Sequence, residues 1–404
     1  MEADIVVVGA GALGLSTALH CALAGRSVVV VERETAGSQA SGRAAGLFKS
    51  VQADELRTTI AGRSIERALT FADWAGVALD VTRSGSYLVA RTGAHKEFLR
   101  TEQRQSRGWG VPVRDVRAGE LAERAPYFHG SGSELALWCP RDIYIAEPIE
   151  LIMAYAQACE MHGGVLCEHE PVTAVTLSAG AVAGVETTRR SIAAAVVVDA
   201  AGAWTRQVAA LAAPEAGERV PVAAVRHQLM ITEPVGDVSD RDPIVRVVDA
   251  AVYLRPARGG LMVGGFEAAP LPVDPPPVST DDMPLDLGVL KRLARAVQPE
   301  VPAAEAPVAE FRGGLFTMSP DGRFVAGPVP GVPGLWVATG CNGSGFSSSL
   351  GLGEALAGQI TGTGSGPELD LTALAPARFG RVARDALIRD GVWQYEHYYD
   401  PAAA

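Results

Sequence analysis

The sequence predicts an α/β protein in which a Rossmann-type dinucleotide-binding domain is interleaved with a second domain built on an antiparallel sheet. Three observations predict this: a complete β-α-β unit at the amino terminus, a strand-rich alternating stretch in the middle, and a second glycine-rich strand-to-helix junction near the carboxyl end. In the first unit, Asp4 to Val8 reads as a buried strand and Gly9-Ala10-Gly11-Ala12-Leu13-Gly14 follows as a G-x-G-x-x-G turn. A helical stretch runs from Leu15 to Ala24, Gly25 stops it, and a second apolar strand, Ser27 to Val31, ends on Glu32. Gly9 permits the tight turn, Gly11 lets backbone approach a pyrophosphate, and Gly14 lets the helix pack on the strand. The helix N–H groups then point at anionic phosphates. Glu32 is placed to accept from a ribose 2′-hydroxyl and to repel a 2′-phosphate, which favours FAD or NAD over NADP.

At 404 residues the chain is long for one core and suits two interleaved domains of about 150 to 200 residues each. A net charge of −11 without a basic run argues against nucleic acid and against an anionic membrane surface. No apolar run is long enough to span a bilayer, and the first strand starts by residue 4, so the expectation is a cytoplasmic protein without a signal peptide. The five cysteines show no C-x-x-C pair, and the seven histidines are scattered. Neither a disulfide framework nor a metal site is expected.

After Glu32, Gly37 to Gly46 is small, polar and glycine-rich, a composition that suits backbone lying against a ligand. Asp54 to Ala75 has helical spacing, and Gly85 to Tyr127 mixes strands with charged helix. Pro148 opens a helix through His162, stopped by Gly163-Gly164. Strands follow at Val165 to Glu168 and Val172 to Leu177, and Ala193 to Asp199 reads as one buried strand ending in Ala200-Ala201-Gly202-Ala203-Trp204. Val220 to Phe266 alternates, notably Arg226 to Thr232 and Val252 to Arg255, as for a sheet with one face covered and the other open to a cavity or solvent. A helix spans Leu285 to Val297. Leu335 to Thr339 is a strand running into Gly340 to Phe346, and Ser347 to Ile360 is a helix. The two glycine-rich helix starts are placed to face one cofactor. A tail carries Trp393, Tyr395, Tyr398 and Tyr399, which pack either on a neighbouring chain or on their own domain.

Taken together, these motifs resemble the D-amino acid oxidase superfamily of flavoproteins, which includes sarcosine oxidases, glycine oxidase, and dimethylglycine and sarcosine dehydrogenases. Besides the amino-terminal unit, the resemblance rests on Ser41 to Leu47, Asp199 to Trp204, Tyr253-Leu254-Arg255-Pro256 with Gly260 to Gly265, Ser319-Pro320-Asp321-Gly322, and Gly340 to Gly345. It covers residues 3 to 365. It implies a Rossmann-type FAD-binding domain (1–48, 148–216 and 311–366), a substrate domain (49–147 and 217–310) and a tail (367–404). It also assigns FAD contacts to Gly9, Gly11, Ala12, Leu13, Gly14, Glu32, Arg33, Ser38, Ser41, Gly42, Arg43, Ala44, Ala45 and Gly46. Further contacts fall to Val172, Ala201, Gly202, Trp204, Gly314, Asn342, Gly343, Ser344, Gly345, Phe346 and Ser347.

Departures from the family pattern carry their own content. Arg43 stands where dimethylglycine-type dehydrogenases have a flavin-linking histidine, and Gly314 where monomeric sarcosine oxidases have a flavin-linking cysteine, so noncovalent FAD is expected. Met262 replaces the oxygen-activating lysine, Ser347 a carboxylate-binding lysine and Phe316 the carboxylate-binding arginine of glycine oxidase. The reaction the resemblance implies is oxidation of a C–N bond, with hydride passing to flavin N5 and an iminium product, a secondary or N-methyl amine favoured and oxygen or a quinone as acceptor. His227, whose ordinary pKa lies near 6.5, and Tyr253 are the candidates for proton handling. Arg255 and Lys49 are candidate anchors for an anionic group, and Phe316 a candidate pocket wall. The alternatives are a flavin-containing subunit of a hetero-oligomeric oxidase or dehydrogenase, and a flavin monooxygenase. A homo- or hetero-oligomer is compatible with either.

Overall fold

The computed structural model describes residues 1–117, 119–363 and 369–402; the expected boundary at 366/367 falls outside them. Strand β1 (Ile5–Val8), helix α1 (Ala12–Leu23) and strand β2 (Val28–Val31) form the first unit. They start a six-stranded sheet in the order Val325–Pro328, Leu335–Thr339, Val196–Asp199, β1, β2, Val165–Cys167. All neighbours are parallel except the first pair. Valine-rich strands suit this position because both faces are covered. Ile5, Val7, Val28 and Val30 pack under α1 and the helices Pro148–Met161 and Gly345–Thr361. Val6, Val8, Val29 and Val31 pack under a three-stranded sheet whose inward residues are Val175, Val182, Val185 and Ile192.

The second large sheet has eight strands, in the order Val308–Met318, Ala223–Thr232, Gly260–Gly265, Val252–Ala257, Ile244–Val247, Ser86–Ala90, Leu135–Cys139, Arg114–Asp115. It is antiparallel apart from one parallel pairing between Ile244–Val247 and Ser86–Ala90. One face carries the helix Leu287–Val297, through Val289, Leu290, Leu293 and Val297. Against the other lies the helix Arg384–Glu396 with Tyr395 and Tyr399. The aromatic tail therefore packs on its own chain, with Tyr395 fully buried while Trp393 stays 44% exposed.

One expectation needs correction. Ala193 to Asp199 is not one strand: Ser191–Ala193 pairs in the three-stranded sheet and Val196–Asp199 pairs with β1, since one strand cannot follow both ladders. Of the two alternatives for the open face of the alternating stretch, the structure has the cavity: every residue of Ala223–Thr232 and Val252–Ala257 is buried, and His227 and Tyr253 line an internal cavity. No helix among the described residues is long and apolar enough to cross a membrane.

Candidate active site

A cleft of about 420 Å³ opens at the carboxyl ends of the parallel strands, where the two glycine-rich helix starts meet. Gly9 holds φ +105°, and a Cβ there would sit 2.6 Å from the Ala200 oxygen. Only glycine fits. Gly14 serves packing rather than contact: a Cβ would lie 2.0 Å from the Gly9 oxygen, and the residue does not line the cleft. The first turn of α1 has no side-chain cap; the Ala12 N–H donates to Ser41 Oγ at 3.0 Å and the neighbouring turn faces the cleft. The helix Gly345–Thr361 also starts without a side-chain cap, behind Gly343 at φ +81°. Two helix N-termini aimed into one cleft, neither capped by its own N-cap side chain, make an electropositive cradle that suits pyrophosphate and any negative charge arriving on a bound ring.

Glu32 accepts from the Ala10 N–H at 2.8 Å and the Glu34 N–H at 2.9 Å, fixing the turn while it lines the cleft. Beyond it the Arg33 guanidinium stacks over the Trp204 ring, 4.5 Å from its centroid, and both line the far end. A carboxylate for ribose, a flat cationic and aromatic end for adenine, and a glycine turn at a helix N-terminus form a set that fits a flavin dinucleotide. Ser41, Ala44, Val172, Ala201, Gly202, Gly343, Gly345 and Phe346 also line this cleft.

A smaller cavity of about 110 Å³ adjoins it through Ala40, Ala44, Phe316, Gly343 and Phe346, which line both. His227 and Tyr253 face it from neighbouring strands of the antiparallel sheet. His227 Nε2 lies 2.9 Å from the Tyr253 hydroxyl and Nδ1 2.7 Å from the Tyr395 hydroxyl, and the ring stacks on Phe316 at 4.1 Å. Burial pushes the His227 pKa down to about 3 and raises those of Tyr253 and Tyr395. The imidazole is thus neutral, with one donor and one acceptor nitrogen, so one tyrosine donates to it and the other accepts from it. Arg43, Ala45, Gly46, Lys49, Gly314, Ser344 and Ser347 line this cavity as well. Its lining holds four cations, Arg43, Lys49, Arg246 and Arg312, and no carboxylate.

The family described as DAO, FAD dependent oxidoreductase, matches residues 4–359. The chain belongs to that family. It is similar to the mitochondrial dimethylglycine dehydrogenase of Mus musculus, 28% identical over 94% of this chain and 44% of that one. It is likewise similar to the glycine oxidase of Pseudomonas aeruginosa, 28% identical over 84% of this chain and 90% of that one. The chain therefore spans less than half the length of the dimethylglycine dehydrogenase it matches. In fold it resembles the crystal structure of L-proline dehydrogenase from P. horikoshii, with a TM-score of 0.84, 23% identity, and coverage of 94% of this chain and 98% of that one.

Within this DAO-family site, several expected residues sit elsewhere than expected. Arg255 does not reach either cavity, which corrects its reading as an anion anchor. It is fully buried, and its Nε, Nη1 and Nη2 donate to the backbone oxygens of Ala45, Pro256 and Ala146 at 2.6 to 2.7 Å. Each of its three nitrogens is engaged, tying the backbone at Ala45 and Ala146 to the sheet. Lys49 faces the small cavity but bonds Glu102 at 2.9 Å; burial lowers its pKa, and Glu102 together with Tyr399 and Tyr398 more than offsets that, so the net shift is upward. Ser38, Gly42 and Asn342 line neither cavity. The Ser38 oxygen accepts from Arg43 Nε, Gly42 closes a turn onto the Gly37 oxygen, and Asn342 ties the Gly340 loop to Ser319. Sequence reasoning did not single out Arg246 or Arg312, which line the small cavity, or Gln39, which lines the cleft, and it left the partner of Tyr395 open. The aromatic tail was the one signal that pointed toward the last of these.

Proposed function

We propose that this FAD-dependent oxidoreductase oxidises the C–N bond of a small amino acid, with a secondary or N-methyl amine favoured. The observation that carries this is the small cavity: it shares a wall with the cofactor cleft, is faced by the hydrogen-bonded His227–Tyr253 pair with His227 stacked on Phe316 of that wall, and is lined by cations without a carboxylate. When bound, the flavin supplies the two-electron acceptor. The residues around it bind and orient the substrate and select its protonation state. The amine must be unprotonated for its lone pair to stabilise a developing iminium, and a cationic, acid-free lining disfavours the ammonium form. Neutral His227 offers Tyr253 a fixed hydrogen bond, so the phenol oxygen stands in one place beside the reacting nitrogen. Phe316 and Phe346 keep water from the flavin side. Names of relatives agree with this reading, since dimethylglycine and glycine are both amino acids.

Arg43 and Gly314 hold the positions where relatives carry linking residues, so the flavin is held noncovalently. Met262, fully buried, holds that of an oxygen-activating lysine, which favours a quinone or another carrier over oxygen as acceptor. The test is anaerobic bleaching of the flavin absorbance by N-methylated amino acids, D- and L-amino acids, proline analogues and carboxylate-free amines. Bleaching by amino acids alone is expected. A holoenzyme that none of the panel reduces, or that carboxylate-free amines reduce equally well, contradicts the proposal.

A further inference from the structure

Of the four cations lining the small cavity, one differs in how its donors are used. Arg43 gives Nε to the Ser38 oxygen and pairs with Asp281 at 2.7 Å. Lys49 pairs with Glu102. Arg312 bonds Glu147 and Glu310, and its one unpaired nitrogen, Nη1, is sealed from the cavity. Arg246 is 3% exposed, and Nη1 alone is engaged, donating to Ser86 Oγ and Asp142 Oδ2, each at 2.7 Å. Among the described residues its Nε and Nη2 have no protein partner, and unlike the Arg312 nitrogen they are not sealed off. With the residue lining the cavity, that free edge faces into it.

The support behind Arg246 explains how a buried guanidinium holds still with half its fork open. Asp142 is fully buried and accepts from the Ser50 N–H at 2.8 Å, Ser50 Oγ at 2.5 Å, Ser86 Oγ at 2.6 Å and Arg246 at 2.7 Å. Its charge is spread over four donors, so Arg246 is oriented by Asp142 and remains only partly neutralised. The register places Arg246 directly opposite Tyr253 on the neighbouring antiparallel strand. Directly paired side chains share a face, with Cβ atoms about 5 Å apart. A guanidinium edge presenting two parallel N–H groups matches both oxygens of a carboxylate, which a lysine ammonium cannot do.

We infer that Arg246 is the anchor for the substrate carboxylate, holding it by a two-pronged hydrogen bond so that the α-nitrogen falls beside Tyr253. This rests on the amino-acid reading above and names the group that recognises the acid end. It makes the site selective for amines one carbon removed from a carboxylate.

The experiment titrates acetate, a carboxylate without an amine, into the holoenzyme at constant ionic strength and follows the flavin absorbance. Arg246→Lys keeps a cation for Asp142 while removing the fork, so it is paired with Arg246→Met and with Lys49→Met, each checked for flavin content and melting temperature. Wild type is expected to show a saturable change. In Arg246→Lys the midpoint should rise by roughly tenfold or more, the loss of one charged hydrogen-bond pair, with flavin retained. Lys49→Met, whose ammonium is already paired with Glu102, should raise the midpoint by clearly less than Arg246→Lys does. An unchanged midpoint in Arg246→Lys, the loss appearing in Lys49→Met instead, or no acetate response in wild type overturns the assignment. Because this readout needs no turnover, an enzyme that binds acetate through Arg246 yet is bleached by no amine would refute the proposed reaction and leave the anchor standing. Bleaching by amino acids with acetate indifferent to Arg246 would do the reverse.

Discussion

Replacing Arg255 by methionine separates a structural clamp from a substrate contact. The guanidinium is fully buried, donates three hydrogen bonds to backbone oxygens and lies 4.8 Å from the Tyr144 ring centroid. Hydrogen bonds from a charged donor contribute ~1.5 to 3 kcal/mol each, so three of them are worth roughly 4 to 9 kcal/mol, and removing them leaves carbonyls without partners. Against this stands the cost of burying the charge. Burial pulls the arginine pKa down to about 10, a penalty of roughly 3 kcal/mol that its removal relieves. Methionine fills part of the volume, so the net expectation is a loss of about 1 to 6 kcal/mol. The clamp spans the loop at Ala45 and the strand at Pro256, so flavin retention should fall with it. The assay is the melting temperature and flavin content of the variant beside KM and kcat for whichever amine bleaches wild type. A lower melting temperature with KM little changed is expected. A variant as stable as wild type whose KM rises tenfold would show that Arg255 holds substrate.

Three further outcomes follow from the geometry. Gly9→Ala should purify largely without flavin, because its Cβ meets the Ala200 oxygen at 2.6 Å in a backbone at φ +105°; the flavin-to-protein absorbance ratio measures it, and full occupancy would contradict the fit. Glu32→Gln should weaken FAD binding by roughly tenfold through loss of a charged acceptor, measured by fluorescence titration of apoprotein, with an unchanged constant counting against a ribose role. Acid should destabilise the fold between pH 6.5 and about 4, since burial holds His20 near 4 and His227 near 3 while the unfolded chain takes up protons near 6.5. Both histidines therefore contribute stability that is complete above 6.5 and lost as pH falls, and a melting temperature flat across that window would refute their neutral burial.

How much was legible follows from how far apart the interacting residues lie. The dinucleotide cleft was readable because its requirements are local: a strand, three glycines and a helix within twenty residues leave few other conformations. The small cavity was not, because it is assembled from strands and a tail with no common spacing. Tyr395 reaches His227 across 168 positions and Arg246 reaches Asp142 across 104. Arg246 and Arg255 illustrate the difficulty: both lie on strands of the same sheet, one opposite Tyr253 and the other two residues beyond it. What separates them is the partner each meets, three carbonyl oxygens for Arg255 and one shared carboxylate for Arg246. No pattern in the sequence encodes that difference.

The charge of the chain and the charge of the cavity point in opposite directions, and the contrast bears on selectivity. A net charge of −11 repels an anionic substrate at long range, yet the cavity wall carries four cations and no carboxylate. Each of those cations is held by acids set behind it, as Arg246 is by Asp142 and Lys49 by Glu102, so the acids supply position while Arg246 keeps a free edge toward the cavity. Such a wall attracts a carboxylate over a few ångströms and repels an ammonium over the same distance, which lowers the apparent pKa of a bound amine. An amino acid, whose acid end is recognised while its amine is driven toward the free base, uses both effects at once. A simple amine gains only the second, and nothing then fixes its place beside His227 and Tyr253.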